Sequence, residues 1–205
     1  MKVKVCGLRR AADAECAIAL GASHVGVVLA ADSPRCASRD EAAAIVAVAR
    51  GRAEPVLVFR GEPHDEVLAK SDVLGVRRVQ VHGADRQACE GLRRAGLLPI
   101  PVARVSADAR VLPHFEPTPC ARQPALLDGG RGGAGRCFSW SLLADGAPDG
   151  VFVAGGIRPD NVRELVALRP WGIDVSSGVE REPGVKDPQL LTALFQGLRS
   201  REVLS

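Results

Sequence analysis

The sequence predicts a (β/α)₈ barrel, one domain over residues 1–205. Three observations predict it. Eight short apolar runs alternate with helical or turn segments in one continuous rhythm. The runs lack polar alternation, which is what a parallel sheet buried on both faces requires. The richest glycine turns follow the sixth to eighth runs, as in Ala154-Gly155-Gly156 and Ser177-Gly178. Glycine lets a backbone approach a ligand closely, and in a barrel of this kind the loops after strands 7 and 8 hold phosphate. A doubly wound open sheet would place its glycine fingerprint after the first strand instead.

In chain order, Lys2–Cys6 reads as strand one, and Gly7-Leu8 turns it into a helix from about Arg10 to Leu20. Ala14, Ala17 and Ile18 supply that helix's apolar face, and Gly21 stops it. His24–Leu29 is strand two, and Ala30–Cys36 a loop. Ser38 with Glu41 forms a capping box for a helix running to about Arg50. Pro55–Phe59 is strand three, and a short helix spans Pro63 to about Ser71. Val79–His82 is strand four, and Arg86–Ala95 a helix ended by Gly96. Ile100–Val105 is strand five, its start made irregular by Pro99 and Pro101. Between Ser106 and Arg122 the prolines leave room for a short helix before Pro113 and a loop after it. Ala125–Asp128 is strand six, followed by the glycine-rich Gly129–Arg136. Val151–Ala154 and Ile173–Val175 are strands seven and eight, with a helix from Arg158 to Leu168 between them. Leu190–Leu198 lies in a last helix, capped by Asp187 with Pro188 in its first turn.

Composition narrows the function classes. Hydrophobic residues make up 46% but aromatics only 3%, with no Tyr, so the core is expected to be branched aliphatic and Ala. Single-strand nucleic-acid binding needs aromatic platforms that this chain lacks. A net charge of +3 is too small to imply a polyanion partner, so no nucleic acid is expected. No apolar run approaches the roughly 18 residues of a membrane span, and no signal peptide precedes Lys2. The six cysteines show no C-x-x-C pair and no zinc spacing, which fits reduced thiols in a cytoplasmic protein. Monomer and homodimer are both compatible with the sequence.

Polar residues at the C-terminal ends of the strands form a constellation on the face where barrels collect chemistry: Cys6, Arg35, Gln80, His82, Asp128 and Asp174. Cys6 is either a small buried hydrophobe or a thiol aimed into the barrel mouth. Asp128 is either a turn cap or a general acid. Arg35 is a surface charge or a fork for a carboxylate, and His82 a strand-end hydrogen-bonder or a ligand of the substrate. Phe138 and Trp140 read as packing beneath the strand-six loop.

These residues stand in blocks that resemble the phosphoribosylanthranilate isomerase family. The blocks are Lys4-Val5-Cys6-Gly7-Leu8, Ser33-Pro34-Arg35, Gln80-Val81-His82-Gly83, Leu126-Leu127-Asp128 with Gly132-Gly133-Ala134-Gly135 and Phe138-Ser139-Trp140, Ala154-Gly155-Gly156 through Asn161, and Asp174 to Gly178 through Lys186-Asp187. The resemblance spans the chain in order. It implies an Amadori rearrangement in tryptophan biosynthesis, aminoaldose to aminoketose, with no cofactor and no metal. It further implies Cys6 as general base, Asp128 as general acid, and Arg35, Gln80, His82 and Asp174 on the substrate. Gly155, Gly156, Ser177 and Gly178 would hold the phosphate of a small phosphorylated substrate. Arg9 stands where the family carries Thr, and Arg60 follows Phe59 where it carries Asn. Both cations are expected to lower the Cys6 pKa and draw in the anionic substrate. Two other readings compete: a barrel that binds a phosphorylated ligand without turnover, and an isomerase for a related aminosugar phosphate. Barrels of the latter kind use two carboxylates, so Cys6 speaks against it.

Overall fold

A computed structural model describes residues 1–129, 138–144, 146 and 148–199. Eight parallel strands close into a barrel: β1 (Lys2–Val5), β2 (His24–Val28), β3 (Glu54–Arg60), β4 (Arg78–His82), β5 (Leu98–Arg104), β6 (Ala125–Asp128), β7 (Val151–Ala154) and β8 (Gly172–Val175). Each strand pairs with its neighbour in sequence, and β8 returns to β1 with Lys4 opposite Asp174. Helices α1 (Ala11–Leu20), α2 (Arg39–Ala49), α3 (His64–Leu74), α4 (Arg86–Arg94), α5 (Val162–Ala167) and α6 (Pro188–Arg199) surround it. No helix among the described residues is long and apolar enough to cross a membrane.

Local chemistry accounts for the element ends. Ser38 Oγ accepts from Glu41 N–H while the Glu41 carboxylate accepts from Ser38 N–H at 2.7 Å, so both arms of the capping box are made. Asp187 Oδ1 accepts from the backbone of Gln189 and Leu190, leaving Pro188 at the position where a missing N–H costs nothing. Gly21 closes α1 in the left-handed region at φ 114°.

Three expectations need correction. β5 is longer than expected and includes both prolines. Leu98 N–H donates to Arg77 in the β4 direction, so Pro99 and Pro101 turn their nitrogens toward β6. Pairing with β6 begins only at Val102, so no ladder donor is needed at either proline. The short helix before Pro113 does not form; 105–119 is turn and irregular structure. The Arg158–Leu168 helix shrinks to α5, because Asn161 folds back on the turn before it. Its Oδ1 accepts from Arg158 N–H and its Nδ2 donates to Gly156 O. A two-stranded hairpin, β9 (Glu180–Glu182) and β10 (Val185–Lys186), was not foreseen. The glycine block 132–135 and Cys137 lie outside the described residues.

The core is two-layered. Odd-numbered strand residues such as Val5, Val25, Leu57, Val79 and Ile173 pack outward against the helices, in the aliphatic manner expected. The barrel interior takes the even-numbered set, Cys6, Val28, Val58, Ile100, Leu126 and Phe152 among them. That interior departs from the all-aliphatic expectation, since Lys4, Gln80 and Asp174 are buried in it too. Below them an edge-to-face stack of His24, Phe152 and Trp171, with centroids 5.1 and 5.0 Å apart, adds aromatic packing.

Burial, reinforced by Lys4 and Arg78, depresses the His24 pKa to about 4. Between that value and 6.5 the unfolded chain takes up a proton that the folded chain refuses. Stability present above pH 6.5 is therefore lost as the pH falls. Urea unfolding at pH 7 and pH 4.5 is expected to show a loss of about 2 kcal/mol from this group, and His24→Leu is expected to remove that share of the acid sensitivity.

Candidate active site

Lys4 occupies the barrel centre with no solvent exposure. Its Nζ donates to Asp174 Oδ2 at 2.8 Å and to Gln80 Oε1 at 3.0 Å. Burial works against the ammonium, but Asp174 and the adjacent Cys6 sulfur outweigh it and raise the Lys4 pKa. Asp174 Oδ1 is buried without a partner among the described residues. An unsatisfied buried acceptor is rare enough to mark a place where a ligand donor belongs.

Cys6 sits one residue beyond β1, its N–H bonded to Val175 O at 2.8 Å, with 8% of its surface exposed. Gly26 on β2 makes room for it: a Cβ there would lie 2.7 Å from Cys6 Sγ and 3.0 Å from Cys6 Cα. Burial pushes the thiol above its ordinary value, with Lys4 pulling the other way. Lys186 ties this corner together. Fully buried, its Nζ donates to Cys6 O at 2.6 Å, Ser176 O at 3.2 Å and Glu180 Oε1 at 2.7 Å. Glu180 also grips Arg35, taking Nε at 3.0 and 3.1 Å and Nη2 at 2.7 Å.

On the far wall, Gln80 Nε2 lies 2.8 Å from His82 Nε2, and His82 Nδ1 lies 4.0 Å from Asp128 Oδ2. Burial, then Lys4, Arg60 and Arg104, hold the His82 pKa near 4, so the ring is neutral at physiological pH. Cys6, Arg35, Gln80, His82, Asp128 and Asp174 all line one cleft.

Gly155, Gly156, Ser177 and Gly178 are not in the cleft wall itself but in the turns beside Ala154 and Ser176, which are. The two turns abut. A Cβ on Gly178 would fall 1.8 Å from Ile157 O, and one on Gly155 would fall 3.0 Å from the Gly129 backbone. Gly155 and Gly156 take φ of 103° and 64°, which favours glycine. The Cys6 role expected of Arg9 and Arg60 fails. Arg9 turns to Glu41 at 3.0 Å, and Arg60 pairs with Asp32 at the cleft rim. The cations that bear on the thiol are Lys4 and Lys186. Sequence reasoning gave no role to Lys4, Lys186, Glu180 or Gly26; Lys4, Glu180 and Lys186 did stand in the family blocks, and that was the only signal.

A closed parallel barrel with a thiol and a carboxyl group in one C-terminal cleft holds the groups that acid–base chemistry needs. A family profile described as N-(5'phosphoribosyl)anthranilate (PRA) isomerase matches residues 3–197. The chain belongs to that family. It is 39% identical over 197 residues to the tryptophan biosynthesis protein TrpCF of Yersinia pestis, covering 96% of this chain and 41% of that one. It thus spans about two fifths of that relative's length. The crystal structure of phosphoribosyl anthranilate isomerase from Thermus thermophilus superposes with a TM-score of 0.80 at 37% identity, covering 98% of this chain and 99% of the other. A further phosphoribosyl anthranilate isomerase structure superposes with a TM-score of 0.78 at 26% identity, covering 98% of this chain and 99% of that one. It was solved with reduced 1-(o-carboxyphenylamino)-1-deoxyribulose 5-phosphate bound.

Because Gly26 has an ordinary backbone conformation, only space demands glycine there. Gly26→Ala is expected to lower stability by about 1–3 kcal/mol in thermal unfolding. It should also expel the sulfur toward solvent, so that site-resolved alkylation of Cys6 by iodoacetamide becomes faster.

Proposed function

We propose that the chain catalyses the Amadori rearrangement of N-(5'-phosphoribosyl)anthranilate, with Asp128 as general acid and Cys6 as general base. The observation that carries this reading is the meeting of both groups, with Arg35 and Asp174, in the wall of one cleft. The Asp128 carboxyl gives its proton to the ribose ring oxygen while the C1–O bond breaks and the nitrogen lone pair forms C1=N. The Cys6 thiolate then takes the C2 proton, and the C–H electrons flow into the iminium to give an enolamine. Loss of the proton on O2 and gain of one at C1 yield the aminoketose with composition unchanged. The iminium is the electron sink, so no cofactor is required.

The substrate is held at its edges. Arg35, pre-set by Glu180 on its Nε and Nη2 side, offers Nη1 to the anthranilate carboxylate. Asp174 Oδ1, buried and without a partner among the described residues, supports an acceptor role toward a sugar hydroxyl. Gln80 is already engaged at both ends and contributes through its neighbours. The abutting turns at Gly155, Gly156, Ser177 and Gly178 take the phosphate on their backbone N–H groups. The protein works as a cytoplasmic monomer or homodimer, without nucleic acid or membrane.

Decay of substrate fluorescence on adding purified protein tests the reading; absence of turnover sinks it. Cys6→Ala and Asp128→Ala are each expected to lower kcat by about 10²–10⁴-fold with little change in KM, and near-wild-type turnover in either removes its assigned role. The active form carries one proton on the pair and disappears once both groups are ionised. Burial of the thiol moves that limb upward. kcat/KM is therefore expected to hold through neutral pH and to fall only above the ordinary thiol value of about 8.5.

A further inference from the structure

The polar chain between Lys4 and Asp128 has its hydrogen positions dictated by one group. An ammonium only donates, so the Gln80 atom 3.0 Å from Lys4 Nζ is the carbonyl oxygen. Its amide nitrogen, a donor, therefore lies at the other end, 2.8 Å from His82 Nε2. A hydrogen on that ring nitrogen would set donor against donor, so Nε2 accepts. In a neutral imidazole the proton is then on Nδ1, the nitrogen that faces Asp128 Oδ2 at 4.0 Å. Asp174 anchors the chain by holding Lys4 at 2.8 Å. The charged groups facing the ring are Lys4, Arg60 and Arg104 on one side of the balance and the Asp128 carboxyl on the other.

We propose that His82 is a positioning residue for Asp128, locked by Gln80 into the Nδ1–H tautomer. The proposal rests on the acid role given to Asp128 above. An imidazolium beside Asp128 would favour the ionised carboxylate, which cannot act as an acid. The Gln80 amide forbids that cation and leaves a neutral N–H instead. The N–H marks Oδ2 as the accepting oxygen and so assigns the carboxyl proton to Oδ1. At 4.0 Å the contact is longer than a hydrogen bond, and it closes when substrate orders the carboxyl, as catalytic contacts commonly do.

Ring-nitrogen ¹⁵N–¹H correlation spectra of the substrate-free protein, with His82→Ala to assign the signal, read the tautomer directly. The wild type is expected to carry its proton on Nδ1. Gln80→Glu keeps an oxygen for Lys4 but presents an acceptor to the ring, so the proton moves to Nε2 or both nitrogens become protonated. kcat is then expected to fall about 100-fold with KM little changed. His82→Asn, which keeps an N–H where Nδ1 stood, should recover most of the kcat lost in His82→Ala, whereas His82→Gln should not. A wild-type ring protonated on Nε2, a tautomer shift with unchanged kcat, or an Asn variant no better than Ala overturns the proposal. If Gln80→Glu does not fold, the wild-type spectrum and the Asn and Ala pair decide. A wild-type protein with no turnover overturns the reaction and with it the service to Asp128, while the spectrum still decides the tautomer.

Discussion

A single ammonium group, Lys4 Nζ, sits in the middle of the barrel with no solvent-exposed surface, and the site is arranged around that fact. A charge so placed must be paired and its remaining donors satisfied. The β1–β8 register supplies Asp174 directly opposite, and β4 supplies Gln80 across the interior. A buried pair is rarely more stable than well-packed aliphatics of the same volume. Closure of the barrel gives no reason for Lys4; the needs of the cleft above it do. Its charge opposes the effect of burial on the Cys6 thiol on one side and sets the direction of the Gln80–His82 chain on the other.

A second buried lysine does the corresponding work at the rim. Lys186 joins the carbonyl of Cys6, the carbonyl of Ser176 and the carboxylate of Glu180, so the end of β1, the turn after β8 and the β9–β10 hairpin move as one piece. Through Glu180 the same tie reaches Arg35 on the loop after β2. Residues distant in sequence are thereby held in one frame. The glycines serve the same end by removing obstructions: Gly26 under the thiol, and Gly178 against the Ile157 carbonyl.

The strands were legible because each is a short apolar run, and their C-terminal ends placed Cys6, Gln80, His82, Asp128 and Asp174 on one face of the barrel. Caps such as Ser38–Glu41 were legible because their chemistry is local. Long-range pairing was not. Nothing near Arg35 announces Glu180, and nothing near Arg9 says that Glu41 will draw it away from the cleft. Apolar content likewise could not show that the barrel interior holds a lysine among its aliphatic residues. The prolines of β5 looked disruptive because their tolerance depends on where β6 begins, a property of a neighbouring strand. The α5 boundary was misjudged because Asn161 uses its side chain on the preceding turn.

The most direct test of the account is a crystal structure of this protein with the reduced carboxyphenylamino deoxyribulose phosphate that the related structure holds. The account predicts the Cys6 sulfur facing C2 and Asp128 within about 3 Å of the hydroxyl derived from the ring oxygen, with the phosphate in the turns of Gly156 and Gly178. A ligand whose C2 lies on the far side of the barrel from Cys6, or whose phosphate lies away from those turns, would contradict it.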